Sequence, residues 1–518
     1  MSTYDVCILG AGLAGLTLAR QLHMRRPDLA IALIEHRRFP MPEAAHKVGE
    51  STVEIAAHYL SQVLDLEDHL KEQHLPKFGL RLFFRGNQAI TDDLARYDEL
   101  GGSRVLPVPT YQVDRGRLEN HLARCAQGAG ATLIDGATLR DLSLNKGNHL
   151  LTIRDGSVEK QLSARHVVDA SGRRGWLRQQ CGLKRTIRHP NHAVWFRVQG
   201  SLEVDAWSKS AAWQDRCMQT PRRLSTNHFN GPGYWLWLIP LASDATSVGL
   251  VFDPRYVELD KVNQYPRLQE WIACEHPLIG AALEGRQPMD FHVLRDYAVG
   301  ARQIWSEEGW SITGDAGLFS DPFYSPGTDF IAFANGYLTE LICGDSDAAA
   351  YTEYQRHFFA FFSNTLSLYR GQYGAFGNRD LMVIKTCWDF IYYWAVLSKL
   401  FFSGCYTDQA FMNQVQASLF GAAALNSGMQ RRFRQFANSG RVGGAGGFYD
   451  YHAVPLFHEL KKNLLQGDPQ DAAADLQRSL KILSGVSKEM IGLLTCAQDG
   501  LALPDLADLG ARQAFQFR

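Results

Sequence analysis

The sequence is poor in the features that mark a stapled, membrane-spanning or highly charged protein. Its nine cysteines are scattered singly over 518 residues with no Cys-x-x-Cys pair, so neither a disulfide framework nor a zinc site is expected. His458-Glu459 is not followed by the second histidine of a zincin helix, and no metal site is expected elsewhere. The longest stretch without Asp, Glu, Lys or Arg, Leu224 to Ser243, is broken by Asn227, His228, Asn230, Pro232 and Pro240. A transmembrane helix needs about 20 apolar residues, so none is expected. Charge of one sign is also missing: 53 Lys+Arg face 54 Asp+Glu, leaving no global field to gather nucleic acid or an anionic membrane. No basic and apolar leader precedes Tyr4, and a reducing cytoplasm is the expected compartment. With 46% hydrophobic and 21% charged residues, the chain reads as an ordinary globular protein with two to four domains' worth of core.

The first informative segment is at the N-terminus. Tyr4 to Leu9 is a short apolar run of the kind a buried parallel strand needs, and it leads into Gly10-Ala11-Gly12-Leu13-Ala14-Gly15. In that GxGxxG, Gly10 allows the tight turn, Gly12 lets a pyrophosphate approach the backbone, and Gly15 lets the next helix pack against the strand. A helix from about Leu13 to Met24 would aim its free N–H groups at the phosphates. A second apolar run, Ile31 to Ile34, ends at Glu35, an acid at the spacing that reaches a ribose 2′-hydroxyl and repels a 2′-phosphate. Strand, turn, helix and acid together read as a dinucleotide site.

Five later segments narrow the ligand. Gly49-Glu50-Ser51 follows the second strand, and Arg115 lies just ahead of a helix carrying Leu118 and Leu122. Val167 to Gly172 is a buried-type strand ending in a small-residue turn. Thr313-Gly314-Asp315 and Pro322-Phe323-Tyr324-Ser325-Pro326-Gly327-Thr328 close the set. In this order the segments resemble the flavin monooxygenases of the hydroxybenzoate-hydroxylase type, and within them the flavin-dependent halogenases, to which tryptophan halogenases belong. The resemblance covers about the first 345 residues and adds Lys77 in Leu75-Pro76-Lys77-Phe78-Gly79 and Trp235-Leu236-Trp237-Leu238-Ile239-Pro240, which matches the family's WxWxIP.

The resemblance implies an α/β fold: a Rossmann-like FAD-binding domain over 1–345, an inserted mixed β-sheet substrate domain at about 190–300, and a helical C-terminal region over 346–518. It implies FAD held by Gly10, Gly12, Leu13, Ala14, Gly15, Glu35, Glu50, Ser51, Arg115, Asp315, Gly327 and Thr328. Halide, chloride or bromide, is expected near Ser325 and Gly327, with Trp235 and Trp237 between flavin and substrate. Hypohalous acid formed at the flavin would travel to Lys77, whose ammonium can polarise it or whose desolvated amine can form a haloamine. The substrate would be an electron-rich phenol or pyrrole, free or bound to a carrier protein. Reduced flavin is expected from a separate reductase, because the other glycine clusters, Gly231-Pro232-Gly233 and Gly443 to Gly447, lack a strand-turn-helix context.

Two departures from the family bear on function. Tyr324 stands where tryptophan-specific members carry a glutamate, which disfavours free tryptophan as substrate. Pro326 follows Ser325 where the family uses a backbone N–H for halide, and proline has none to give. A hydroxylase working without halide therefore stays open, as does a non-catalytic flavin carrier, against which Lys77 argues. Read without the family, Lys77 is a solvated surface lysine, the two tryptophans fit core packing as well as a site, and His228 is a sheet histidine.

Beyond about Gly344 the chain turns aromatic and helical. Phe358, Phe361, Phe362, Leu366, Tyr369 and Tyr373 recur at helical spacing. Trp388 to Leu397 is apolar all round, which fits either burial or a pocket lid. Arg431, Arg432 and Arg434 read as a solvated helix end.

Overall fold

The computed structural model describes residues 2–44, 47–86, 91–105, 107–218, 220–344, 346–437, 446–466, 471–499, 503 and 506–514. Gly443, Gly444 and Ala445 of the second glycine cluster lie outside them. The chain forms two units, each assembled from three stretches. The first is Met1–Gln73, Val113–Arg188 and Tyr297–Thr365; the second is His74–Gln112, His189–Asp296 and Leu366–Arg518. These limits differ from a single insertion followed by a C-terminal region. Residues 74–112 and everything from Leu366 fall with the sheet expected at 190–300, and 346–365 stay with the N-terminal unit.

In the first unit the apolar runs become strands Ser2–Leu9 and Ile31–Glu35, and helix Leu13–Arg25 lies between them in sequence. They pair in parallel with each other and with Thr132–Asp135 on one side, and with Val158–Asp169 and then Trp310–Ile312 on the other. The first three strands advance in one direction and the last two in the other, so the order reverses at Ser2–Leu9. That is the switch point at which open parallel sheets leave a crevice beyond their carboxyl ends. A meander, Ala137–Ser143 and His149–Asp155, attaches to Val158–Asp169. Helix Gly327–Cys343 is tied to the fingerprint helix by Asn335. Its Nδ2 donates to Ala14 O, Thr17 Oγ1 and Tyr59 Oη, and its Oδ1 accepts from Thr313 Oγ1.

The second unit holds an eight-stranded sheet in the order Pro288–Leu294, His192–Gln199, Ala245–Phe252, Tyr234–Leu241, Thr226–Gly231, Leu80–Phe84, Asp98–Gly101, Phe448–Asp450. Alternation divides it into two faces. One carries Val194, Phe196, Val198, Phe229, Leu236, Leu238, Val248 and Leu250, packed with Leu268, Ile272, Ile279 and Leu283 of helices Tyr265–Glu275 and Pro277–Leu283. The other carries Trp195, Trp235, Trp237, His228 and Asn230, as the pairings below establish.

The C-terminal region is helical, with Arg379–Tyr392, Gln409–Phe436, Pro455–Gln466 and Ala472–Gln498 as its main elements. Trp388, Ile391, Tyr392, Trp394 and Val396 are buried, so this run is core rather than an exposed flap. Its interior holds a polar network. Lys385 Nζ donates to Asp389 Oδ2 at 2.6 Å and to Gln430 Oε1 at 3.0 Å, and Trp388 Nε1 donates to Asn426 Oδ1. Arg431 and Arg432 are exposed on helix Gln409–Phe436, as expected. All nine cysteines are unpaired. Among the described residues no helix is long and apolar enough to cross a membrane, and no His, Cys, Asp and Glu cluster could hold a metal.

Candidate functional site

The first unit builds its site from backbone. Gly10 has φ +107°, and a Cβ there would lie 2.4 Å from Ala170 O at the end of the neighbouring strand. A Cβ on Gly15 would lie 2.0 Å from Gly10 O, and one on Gly12 would meet Lys47 Nζ at 2.9 Å. The helix beginning at Leu13 has no side-chain cap and no acid in its first turn. An uncapped N-terminus at the switch point is a ready anion site.

Glu35 is buried beside this loop. Its Oε2 accepts from Ala11 N at 2.9 Å and its Oε1 from Arg37 N at 3.0 Å, so the acid braces the turn through which it was expected to read a ribose.

Cations surround the mouth of the loop. Arg115, at the start of helix Arg115–Gly128, donates to Val48 O at 2.7 Å and to Glu119 Oε1 at 2.5 Å. Glu119 is fully buried, accepts from Leu13 N at 3.2 Å, and holds Lys47 Nζ at 3.1 Å through its other oxygen. One carboxylate thus aligns two cations and a helix-terminal N–H. Neither Glu119 nor Lys47 was read from the sequence as part of the site. Glu119 left a signal, since it stands four residues after Arg115 on a helix; Lys47 left none.

Asp315 follows Gly314, whose φ is +60° and whose Cβ would sit 3.0 Å from Ala14 Cβ. Removal from water pushes the Asp315 carboxyl up, and Arg173, Arg115, Lys47 and Arg178 pull against that rise. Its field therefore includes the same Arg115 and Lys47. A dinucleotide with two phosphates fits this arrangement: a glycine cradle that a Cβ would fill, a helix N-terminus whose first N–H alone is taken, by Glu119, and Lys47 and Arg115 held ready. Glu50 and Ser51 are buried after Gly49, and Val113 N donates to Glu50 O at 2.7 Å.

Ser325 occupies the left-handed region, φ +57°, unusual for a residue with a side chain. The turn sets it just before helix Gly327–Cys343, whose N-cap is Pro326 and which has no side-chain cap. The absent proline N–H is thus one a helix start can spare. Gly327 and Thr328 lie in the first turn, where N–H groups lack intrahelical acceptors.

The second unit builds its site from side chains. Lys77 is 6% exposed, so the surface reading fails. Its loop is strapped at consecutive residues. Lys77 N donates to Thr110 O at 2.8 Å, Phe78 N to Leu224 O at 2.9 Å, and Gly79 O accepts from Thr226 N at 2.9 Å. Gly79 has φ +82°, and a Cβ on it would collide with Tyr451 Oη at 2.3 Å.

Strand register sets the neighbours. His228 pairs with Trp237 and Asn230 with Trp235 across the antiparallel ladder, while Leu82 and Phe84 flank them on the parallel side. Paired residues share a face. Trp235 and Trp237 are 5.6 Å apart between ring centroids, and His228 lies 4.4 Å from Trp235. Trp235 Nε1 donates to Tyr373 Oη at 3.1 Å, and Trp237 Nε1 to Ser247 Oγ at 3.1 Å. The Trp237 indole lies over Gly249, where a Cβ would stand 2.1 Å from the ring. Burial, followed by the charge of Lys77, holds the His228 imidazole well below its usual range, so it is neutral near pH 7. Lys77, His228, Trp235 and Trp237 thus belong to one neighbourhood. Asn227, grouped with His228 in the sequence, is instead a brace that donates to Arg222 O and Ser225 O.

Comparison with known proteins bears on both sites. The family model described as "Tryptophan halogenase" matches residues 101–380. A curated relative, the flavin-dependent halogenase chlA of Dictyostelium discoideum, is 28% identical over 390 residues, covering 69% of this chain and 63% of its own. This chain therefore spans less than two thirds of that relative's length. A 1H-pyrrole-2-carbonyl-[peptidyl-carrier protein] chlorinase of Pseudomonas fluorescens is 25% identical over 373 residues, 68% of this chain and 79% of its own. Among solved structures, the halogenase PltM in complex with phloroglucinol and FAD superposes with a TM-score of 0.66 at 17% identity, covering 95% of this chain and 96% of that one. At that identity the likeness speaks for the fold alone, and it bears out an α/β flavoprotein fold with a helical C-terminal region.

Proposed function

The chain belongs to the tryptophan halogenase family, and from that premise we propose that it is an FAD-dependent halogenase acting on an electron-rich aromatic substrate, a phenol or a pyrrole, free or carrier-bound. The observation that carries this reading is Lys77: a buried lysine on a backbone-strapped loop, in the neighbourhood of two tryptophans and a neutral histidine. A buried ammonium is costly unless it is used or compensated. The relatives' names, which include a flavin-dependent halogenase and a pyrrole-carrier-protein chlorinase, support the same class of chemistry.

In this reading Gly10, Gly12, Gly15 and the N–H of Ala14 receive the diphosphate beside Leu13, whose own N–H is held by Glu119, while Arg115 and Lys47 neutralise it and Glu119 keeps both cations in place. Glu35, Glu50, Ser51, Asp315 and Thr328 complete the FAD-binding set. When bound and reduced, FAD supplies the oxidation of halide by oxygen. Ser325 and Gly327, at an uncapped helix start, offer chloride or bromide its donors. Lys77 then orients and polarises the hypohalous acid toward the ring. His228, being neutral, leaves the Lys77 ammonium without a second positive charge beside it. Trp235 and Trp237 wall the chamber and keep water out. Reduced flavin comes from a separate reductase, and the enzyme works in the cytoplasm.

The test is product mass from reduced FAD, oxygen and a panel of phenols and pyrroles, with bromide and without halide. A bromine isotope pattern that vanishes in Lys77→Ala is the expected result. Addition of one oxygen, independent of halide and of Lys77, would replace the halogenase by a hydroxylase.

A further inference from the structure

The helical C-terminal region touches the tryptophan strand at a point the reading above leaves unused. Trp235 and Trp237 are each held through the indole Nε1, but from different quarters. Trp237 is held by its own sheet: its Nε1 donates to Ser247 Oγ on the neighbouring strand, and its ring lies over Gly249. Trp235 is held from outside the sheet, by Tyr373 Oη at 3.1 Å. Tyr373 is 1% exposed and opens the short turn Tyr373–Ala375, just ahead of helix Arg379–Tyr392. That turn is clasped to Gly231-Pro232-Gly233, the glycine cluster that lacks a strand-turn-helix context. Gly233 N donates to Tyr373 O at 3.0 Å. A Cβ on Gly377 would meet Pro232 at 2.7 Å, and the Tyr256 side chain covers Gly233 and Gly374, where Cβ atoms would stand 2.1 and 2.5 Å from it. Behind the turn, Gln372 Nε2 donates to Gln430 O of helix Gln409–Phe436 at 3.1 Å, and the Tyr373 ring stacks on Phe376 at 4.5 Å. Close packing on three glycines fixes the phenol, and through it the indole.

We propose that Tyr373 is a positioning residue, through which the helical region fixes the orientation of Trp235 and so sets the share of oxidising equivalents that ends in product. An indole held by contact alone can turn about its side-chain torsions; one whose N–H is also given to a fixed hydroxyl loses that freedom. A wall residue that turns opens the chamber to water. Hypohalous acid, a small neutral molecule, then leaves before it meets the ring. The Tyr373 hydroxyl acts through Trp235 and need not touch substrate, flavin or halide. This inference rests on the proposed halogenase for the product it measures, while the hold on the indole can be read without turnover.

The experiment compares wild type, Tyr373→Phe, Trp235→Phe and the double variant as holoenzymes, with reduced FAD, oxygen, bromide and a phenol or pyrrole that wild type accepts. Tyr373→Phe removes the hydroxyl alone. It is expected to lower product formed per flavin oxidised by about 10-fold while flavin Kd stays within about twofold, the missing bromine appearing on a dimedone trap in solution. Trp235→Phe removes the same hydrogen bond from its other end, should show the same loss, and asks the question should Tyr373→Phe not fold. The double variant should lose no more than Trp235→Phe alone, since the two residues act as one. In oxidised holoenzyme labelled at the indole nitrogens, the Nε1–H signal that Trp235→Phe removes should exchange with solvent at least about 10-fold faster in Tyr373→Phe. Losses that add in the double variant, an unchanged yield, or an indole signal indifferent to the hydroxyl would overturn the proposal. So would a fall of Tm, flavin affinity and every rate together, which would make Tyr373 merely structural. If the product gains oxygen rather than bromine, the halogenase reading falls, and the same variants scored on oxygenated product per flavin decide this proposal separately.

Discussion

The two candidate sites are built by different means. The first uses main chain: at Gly10 and Gly15 a single added Cβ would drive into carbonyl oxygens 2.4 and 2.0 Å away. The second uses side chains, with two indoles and an imidazole set out on one face of a sheet whose other face is packed core, and an ammonium from a loop whose charge reaches that imidazole. Backbone recognition tolerates almost no substitution and therefore writes itself into sequence as glycines at fixed spacing. Side-chain recognition on a regular strand leaves only a period-two pattern, which any core strand shares. The same contrast predicts where each unit breaks.

The largest effect should come from the side-chain unit. Lys77→Ala is expected to lower halogenation by about 10³-fold or more while flavin affinity stays within about twofold, read by product mass and by flavin fluorescence titration. Loss of flavin together with activity would collapse the distinction between the units. Next, Gly15→Ala should weaken FAD binding by more than about 100-fold, roughly 3 kcal/mol, seen as protein emerging colourless from gel filtration. Arg115→Ala should cost less, about 10-fold in flavin Kd or roughly 1.4 kcal/mol, since Lys47 and the helix terminus remain.

The smallest effect is acid softening, and it should favour the second unit. Six histidines of the first unit are held below their usual range chiefly by burial: His58 and His69 at about 4, His166 at about 3, and His121, His149 and His357 less far. In the second unit His276 is held at about 3, His452 at about 4, and His228 well below range. Unfolded, each takes up a proton below about pH 6.5; folded, each stays neutral until its own lower pKa. Stability is therefore lost as pH falls from about 6.5 toward 4, by at most about 1.4 kcal/mol per pH unit for a buried histidine. With six such groups against three, protection from hydrogen exchange, corrected for the slower intrinsic rate at lower pH, should fall more between pH 7 and pH 5 in strands Ser2–Leu9 and Ile31–Glu35 than in Tyr234–Leu241. The reverse order would show that another group dominates acid sensitivity.

How much was legible follows from the same physics. The first strand, the fingerprint helix and the second strand fall within two residues of the sequence-derived limits, because burial on both faces and the glycine turn each leave a local mark. The boundaries of the two units were not legible. Residues 74–112 join the sheet by pairing Leu80–Phe84 with Thr226–Gly231, a contact across more than a hundred residues that no local pattern announces. Lys77 became readable only through family resemblance, since a lysine between a proline and a phenylalanine has no burial signature of its own. Glu35, expected to reach a ribose, braces the loop through the N–H groups of Ala11 and Arg37.

The strapped loop around Lys77 carries one more consequence. With three successive residues fixed to Thr110, Leu224 and Thr226 through the main chain, no room at Gly79 for a side chain, and the Lys77 side chain itself buried, the root of the lysine is a fixed post and burial confines its ammonium. In the proposed halogenase, a lysine so confined would have a single address in space. Changes of substrate or of the carbon attacked must then come from turning the ring beneath that address, through the residues of the facing strands, and the lysine itself can stay where it is while the chemistry's target shifts.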